Sequence, residues 1–213
     1  MSDPTWDANK RHIVQYYQEL LNDYGPSTLV ADASTIENQR IRYEVLAEMA
    51  DYNGKLVLDV GCGLGWFAEY LSWKFIDVKY TGIDISPSLI EQAQKLYPHQ
   101  QFMCADILED ELPQHDIVVC NGIFYLLQWT PYKYMFEIIR QGYEIAKEAV
   151  LFTSLNGHLA EGKLSMSAPD VPQNGEFWAR PDLVLGFVMD LCPKVVLRAD
   201  YLPQDFACSL RKI

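Results

Sequence analysis

Short apolar runs alternate with amphipathic stretches from residue 55 onward, and this alternation constrains the chain more than any other feature. Lys55–Val60, Lys79–Asp84, Gln101–Ala105, Asp116–Asn121 and Ala149–Ser154 each read as a buried strand. The Ile-Val-Val-Cys centre of the fourth is apolar on both sides, as a strand covered on both faces must be. Between the runs, residues 63–74 turn into a helix carrying Phe67 and Leu71. Ser86-Pro87 opens another, with serine as cap and proline at the first helical position, and it ends before Pro98. Pro131–Lys147 reads as a third. Parallel strands need crossovers of this length, so the sheet is predicted to be mainly parallel with helices on both sides.

The flanks differ. Residues 5–24 form a helix whose stripe is Ile13, Tyr17, Leu20 and Tyr24, stopped by Gly25-Pro26. A second helix starts after Ser34, where Ser34 and Glu37 make a capping box, and its apolar face is Ile41, Val45, Leu46 and Met49. Residues 156–179 are rich in Gly, Pro, Ser and Asn without a period, and read as a long functional or mobile loop. Pro181–Leu191 is a last helix. Lys194–Leu202 and Asp205–Ile213 are two strands joined at Pro203-Gln204, a turn short enough only for an antiparallel pair. The expectation is one α/β domain. Its mixed seven-stranded sheet is mostly parallel with an antiparallel C-terminal strand. A helical cap covers 1–52, and the core at 53–213 includes a lid loop at 156–179.

The first strand runs into Asp59-Val60-Gly61-Cys62-Gly63-Leu64-Gly65. Glycines there let the backbone approach a ligand, and the next helix presents free N–H groups. A dinucleotide fingerprint needs G-x-G-x-x-G, but its third glycine would fall at Trp66, and no phosphate-loop lysine follows. Asp59, two residues before the first glycine, would repel a pyrophosphate and suits a cationic amino-acid ligand. Asp84 ends the second strand, where a carboxylate can accept from both ribose hydroxyls. Asp106 follows the third strand, within reach of an adenine amino group. A ligand is expected at the carboxyl ends of the strands.

The segments VLDVGCGLG, YTGIDISPSLIEQA, FMCADIL and DIVVCNGIFYLL together resemble the class I S-adenosylmethionine-dependent methyltransferases, with a Rossmann-like fold, over residues 36 to 154. The resemblance implies that the turn glycines Gly61 and Gly63 meet the methionine part, and Asp59 and Cys62 of the same turn are further cofactor-binding candidates. It implies that Asp84 binds ribose, Asp106 with Ile107 meets the adenine amine, and Asn121 lies near the methionine amino group; Ile85 and Leu89 read as sandwiching adenine, with core packing the alternative. In relatives an N-terminal helix holds the methionine carboxylate through Arg or Tyr, which points to Arg40, with Tyr16 and Tyr24 behind it. The cofactor implied is S-adenosylmethionine and the acceptor a small molecule. The Pro-Gly-Gly turn common before the fifth strand is replaced by IAKEAVLFT. His158, just after that strand, is the candidate base, although an acceptor that is already a carboxylate or thiolate needs none. Tyr125 and Phe124 are candidates for the substrate wall. His99 and His115 read as surface positions.

Other classes fare worse. A net charge of −12 and the lack of a Lys/Arg run argue against nucleic acid. No stretch reaches membrane-span length, and the start MSDPTWDANKRH lacks an apolar signal core, so the expected location is cytoplasmic. Five cysteines without a CxxC pair or a histidine at ligand spacing suit a reducing compartment and no metal. A metal-dependent catechol enzyme would need a full cluster of Asp and Asn after the fourth strand, where Asn121 stands alone. A nucleobase enzyme would show Asn-Pro-Pro-aromatic or Pro-Cys, and a polyamine enzyme an acidic pair. None of these occurs. The rival outside catalysis is a partner subunit that binds the cofactor without turnover.

Overall fold

The computed structural model describes residues 3–31, 35–158 and 175–212. Helix α1 spans Pro4–Tyr24, α2 Ile36–Glu48, and a short 3-10 turn, Thr28–Ala31, lies between them. The alternating core follows as β1 (Leu56–Val60), α3 (Trp66–Lys74), β2 (Lys79–Asp84), α4 (Pro87–Leu96), β3 (Gln101–Cys104), β4 (His115–Cys120), α5 (Pro131–Ile145) and β5 (Ala146–Leu155). Helix α6 (Pro181–Leu191), β6 (Val195–Arg198) and β7 (Asp205–Arg211) complete it.

Local chemistry explains most boundaries. Ser86 Oγ accepts from Leu89 N at the start of α4, with proline in the first turn. Asp3 caps α1 by accepting from Thr5 N, and Gly25 ends it with φ 62°. The cap of α2 is Thr35, whose hydroxyl accepts from Asn38 N, one position later than expected; Ser34 lies outside the described residues. Helix α5 stops at Ile145 rather than Lys147 because β5 begins at once, with Ala146 already paired to His115.

The sheet order is β3-β2-β1-β4-β5-β7-β6, parallel throughout except for β7, which runs antiparallel to both neighbours. Successive residues serve opposite faces. Leu58, Val118 and Val150 pack with α5 residues Tyr134, Met135, Ile138 and Ile139. Val57, Ile117, Val119 and Leu151 pack with Leu46, Tyr52, Phe67 and Leu71. Each fully buried side chain of this size contributes about 1.5–3 kcal/mol. His115 is buried rather than superficial, its Nδ1 2.8 Å from the Pro113 carbonyl oxygen.

Strand order reverses between β1 and β4, so the crossovers on either side diverge there and leave a crevice. Register aligns the ends: Val60 lies beside Ile83 and Cys120, Asp84 beside Cys104, and Cys120 beside Phe152. Because β7 is antiparallel, its first residue, Asp205, lies opposite Leu155 at this same edge.

A cavity along the carboxyl edge of the sheet

A cavity of about 740 Å³ lies along that edge, large for small-molecule sites, which hold about 300–1,000 Å³. The turns after β1, β2, β3 and β4 bring Asp59, Gly61, Cys62, Gly63, Asp84, Ile85, Leu89, Asp106, Ile107 and Asn121 into its wall. All ten were singled out from sequence, and backbone register makes them neighbours.

Asp84 Oδ2 accepts from Gly63 N at 3.0 Å and Oδ1 from Ser86 N at 2.9 Å, so one carboxylate ties the glycine turn to the start of α4. Burial raises its pKa to about 6, against the pull of those backbone donors. Burial likewise raises Asp59 to about 7, although Tyr80 Oη donates to its Oδ2 at 2.6 Å. The Cys62 thiol is pushed well above its usual range by burial. Gly61 has φ +71°, and a Cβ there would sit 2.3 Å from Ile123 Cγ2, so any side chain would have to displace Ile123 of the β4 loop. Gly63 has φ +55° with nothing within 4 Å of a Cβ, so its bare face meets open space at the cavity.

Asp106 is held from α1. Trp6 Nε1 donates to its Oδ2 at 2.8 Å, Lys10 Nζ lies 3.2 Å from the same oxygen, and Leu108 N donates to Oδ1 at 3.0 Å. Asn9 Oδ1 accepts from Gln128 N and Trp129 N, which pins the helix to the loop before α5. Thr153 Oγ1 donates to Asn121 Oδ1 at 2.7 Å and accepts from Gly122 N, fixing the turn after β4.

Four expected residues, Arg40, Tyr16, Tyr24 and His158, fall outside the cavity wall. Arg40 is exposed and bonded to Glu37 and Glu44, while Arg42 lines the cavity. Two residues apart on a helix means about 200° of rotation, so only one of the pair can face inward. Arg42 binds Asp205 through Nε at 2.5 Å and an Nη at 3.2 Å. Tyr16 packs edge-on against Tyr17, and it is Tyr17 that reaches the cavity, its hydroxyl 2.7 Å from that of Tyr125. His158 turns to α6, with Nε2 2.9 Å from Asp182 Oδ1, and no cavity-lining position falls to it. Tyr24 is exposed. Phe124 and Tyr125 both line the cavity, Phe124 fully buried.

The sequence reading missed Trp6, Glu176 and Trp178. Phe177 N donates to the Tyr125 carbonyl at 2.7 Å and Gly157 N to the Ala179 carbonyl at 2.8 Å, fixing the segment 175–179 beside the strand ends. Residues 159–174 of the expected lid lie outside the described residues. Among the described residues there is no group of three potential metal ligands, and no helix is long and apolar enough to cross a membrane.

Residues 57–143 match the sequence family described as "Methyltransferase domain". Over 97 residues the chain is 37% identical to malonyl-[acyl-carrier protein] O-methyltransferase of Acetivibrio thermocellus, covering 43% of this chain and 33% of that one. Over 166 residues it is 31% identical to trans-aconitate 2-methyltransferase of Escherichia coli, covering 78% of this chain and 56% of that one. The chain thus spans about a third to a half of the length of the curated relatives it matches. In structure it is similar to magnesium protoporphyrin IX methyltransferase of Synechocystis with bound S-adenosylmethionine, with a TM-score of 0.67 at 15% identity, covering 96% of this chain and 97% of that one.

Proposed function

We propose that this chain, a class I S-adenosylmethionine-dependent methyltransferase by the sequence of residues 57–143 and by its fold, transfers a methyl group to a small molecule. The observation that carries the reading is the cavity itself, where a glycine turn and three buried acids from successive strand ends share one wall.

The residues fit the cofactor. Each oxygen of Asp84 has one backbone donor and retains lone-pair capacity, so two ribose hydroxyls complete its coordination. Burial keeps its pKa raised despite the backbone donors it already has. Asp59, Gly61, Cys62, Gly63 and Asn121 line the methionine end in this reading, with Asp59 facing positive charge. Ile85 and Leu89 flank the adenine, and Asp106 with Ile107 takes its amino edge. Arg42 replaces Arg40 as the arginine of the N-terminal cap nearest the ligand, and Tyr17 replaces Tyr16.

When bound, S-adenosylmethionine supplies a methyl group already activated on a sulfonium. The chain's part is to bind, orient and exclude water, and such positioning contributes roughly 7–11 kcal/mol. The described wall holds no lysine or histidine, so no proton transfer is assigned to His158. The single-domain organisation, with 1–52 as cap and 156–179 as lid, belongs to this reading. So does a cytoplasmic location, which the five free cysteines support. Titration calorimetry with S-adenosylhomocysteine and a turnover assay over candidate acceptors test it. Tight binding with turnover is expected. Binding without turnover would favour a non-catalytic partner subunit, and no binding would refute the assignment.

A further inference from the structure

The cofactor assignment leaves one carboxylate of the cavity wall unused. Asp59, Asp84 and Asp106 sit at the ends of β1, β2 and β3, and Asp205 is matched by Arg42. Arg42 is the only cationic side chain among the described lining residues, and both partners of this ion pair are in the wall, so together they contribute no net charge. Glu176 remains. Among the described residues it takes part in no ion pair, and its Oε2 accepts only from Trp178 Nε1, at 3.0 Å.

Its neighbourhood is aromatic. Extended backbone sends alternate side chains to opposite sides. Phe177 and Ala179 are fully buried in the core, which turns Glu176 and Trp178 together into the cavity. The Phe177 N–H bond to the Tyr125 carbonyl holds this segment against Tyr125, and Tyr125 is hydrogen-bonded to Tyr17. A carboxylate hydrogen-bonded to Trp178, in a wall that also carries Tyr125 and Tyr17, is a site for a cation. Ring faces attract ammonium groups, indole most strongly, and the carboxylate adds a charge-assisted hydrogen bond.

We infer that the methyl acceptor is an amine, its nitrogen held by Glu176 against the rings of Trp178, Tyr17 and Tyr125. The inference rests on the cofactor reading above. In the transfer, the bound ammonium first gives a proton to solvent; the lone pair of the neutral amine then forms the N–C bond while the C–S bond breaks and its electron pair goes to sulfur. The sulfur leaves as a neutral thioether, positive charge passes to nitrogen, and a proton is then lost to solvent from a primary or secondary amine. Glu176 and the rings face the atom on which charge appears, so they stabilise the transition state more than the neutral amine. A carboxylate acceptor in the same place would meet Glu176 with like charge.

The test uses the full chain saturated with S-adenosylhomocysteine and two probes of similar shape and opposite charge, benzylamine and phenylacetate, titrated by NMR. Benzylamine should bind and phenylacetate should not. Glu176→Gln keeps an acceptor for the Trp178 N–H but removes the charge. It should weaken benzylamine at least tenfold and leave S-adenosylhomocysteine affinity within about twofold. With S-adenosylmethionine, mass spectrometry of an acceptor panel should find N-methylated products. Preference for phenylacetate, no binding of benzylamine, an unchanged benzylamine affinity in Glu176→Gln, or methylation confined to carboxylates, phenols or thiols overturns the inference. Failure of S-adenosylhomocysteine to bind refutes the cofactor reading instead, and the two failures are separable.

Discussion

Asp84→Asn separates a binding role from a structural one, because the two predict opposite changes. The carboxyl group, 3.8 when free, is pushed up to about 6 in the fold, first by burial. At about 1.36 kcal/mol per unit, keeping it ionised at pH 8 costs the fold about 3 kcal/mol. The sign follows from linkage. An acid with a raised folded pKa weakens the fold as pH rises through that value, and the cost is absent below 3.8. Asparagine is isosteric and uncharged, so it removes the cost. It also sets an amide N–H against Gly63 N or Ser86 N, which loses about 1–3 kcal/mol. The two terms nearly cancel, and the apo melting temperature should move by no more than a few degrees. Cofactor affinity should still fall, since each charge-assisted bond to a ribose hydroxyl is worth about 1.5–3 kcal/mol, or roughly 10- to 150-fold. Calorimetry with S-adenosylhomocysteine at pH 8, paired with thermal melts, reads both. Wild-type affinity should also weaken on acidification through pH 6, as the protonated carboxyl gives up an acceptor, and the variant should lose that part of the pH dependence. Unchanged affinity at pH 8, or a melting temperature lowered by more than about 10 °C, would refute this account.

Gly63→Ala should fold with about 1–2 kcal/mol of left-handed backbone strain and lose cofactor affinity at least tenfold, as its methyl group enters the cavity. Gly61→Ala should be destabilised more, because its Cβ meets Ile123, and paired melts check the order. Trp6→Phe removes the buried donor to Asp106 and should lower stability by about 1.5–3 kcal/mol, with amide exchange in α1 rising. His158→Ala should leave kcat within about threefold, since its ring faces Asp182 and not the cavity; a loss beyond a hundredfold would restore it as a base.

Period and position made the strand-end acids legible. Asp59, Asp84 and Asp106 each close or follow an apolar run, and register alone brings such residues together. What the sequence hid depended on rotation and on distant partners. Arg40 and Arg42 flank the same apolar face, and choosing between them needs the rotation of α2, which Asp205, far along the chain, helps to fix. Trp6 and Asp106 are likewise brought together only by the docking of α1. The start of β5 at Ala146 was masked because Ile145 continues the helical stripe of α5. Glu176-Phe177-Trp178-Ala179 does carry a signal, an alternation of polar or amphipathic with apolar residues, but it is only four residues long and follows an aperiodic stretch.

The placement of β7 between β5 and β6 governs the order in which the binding surfaces can come into being. The pocket wall from β1 to β4 uses residues 56–120, whose parallel pairs can form once those residues are available. The opposite wall needs Asp205, which reaches the edge only when β7 inserts against β5, joining residues 149–155 to 205–211. During synthesis from the ribosome, the wall from β1 to β4 can assemble while the wall that holds Asp205 is still missing. Until β7 arrives, Arg42 has no carboxylate opposite it and β5 presents an open hydrogen-bonding edge, so a nascent chain stalled before residue 205 should be the form most prone to mispairing with another copy.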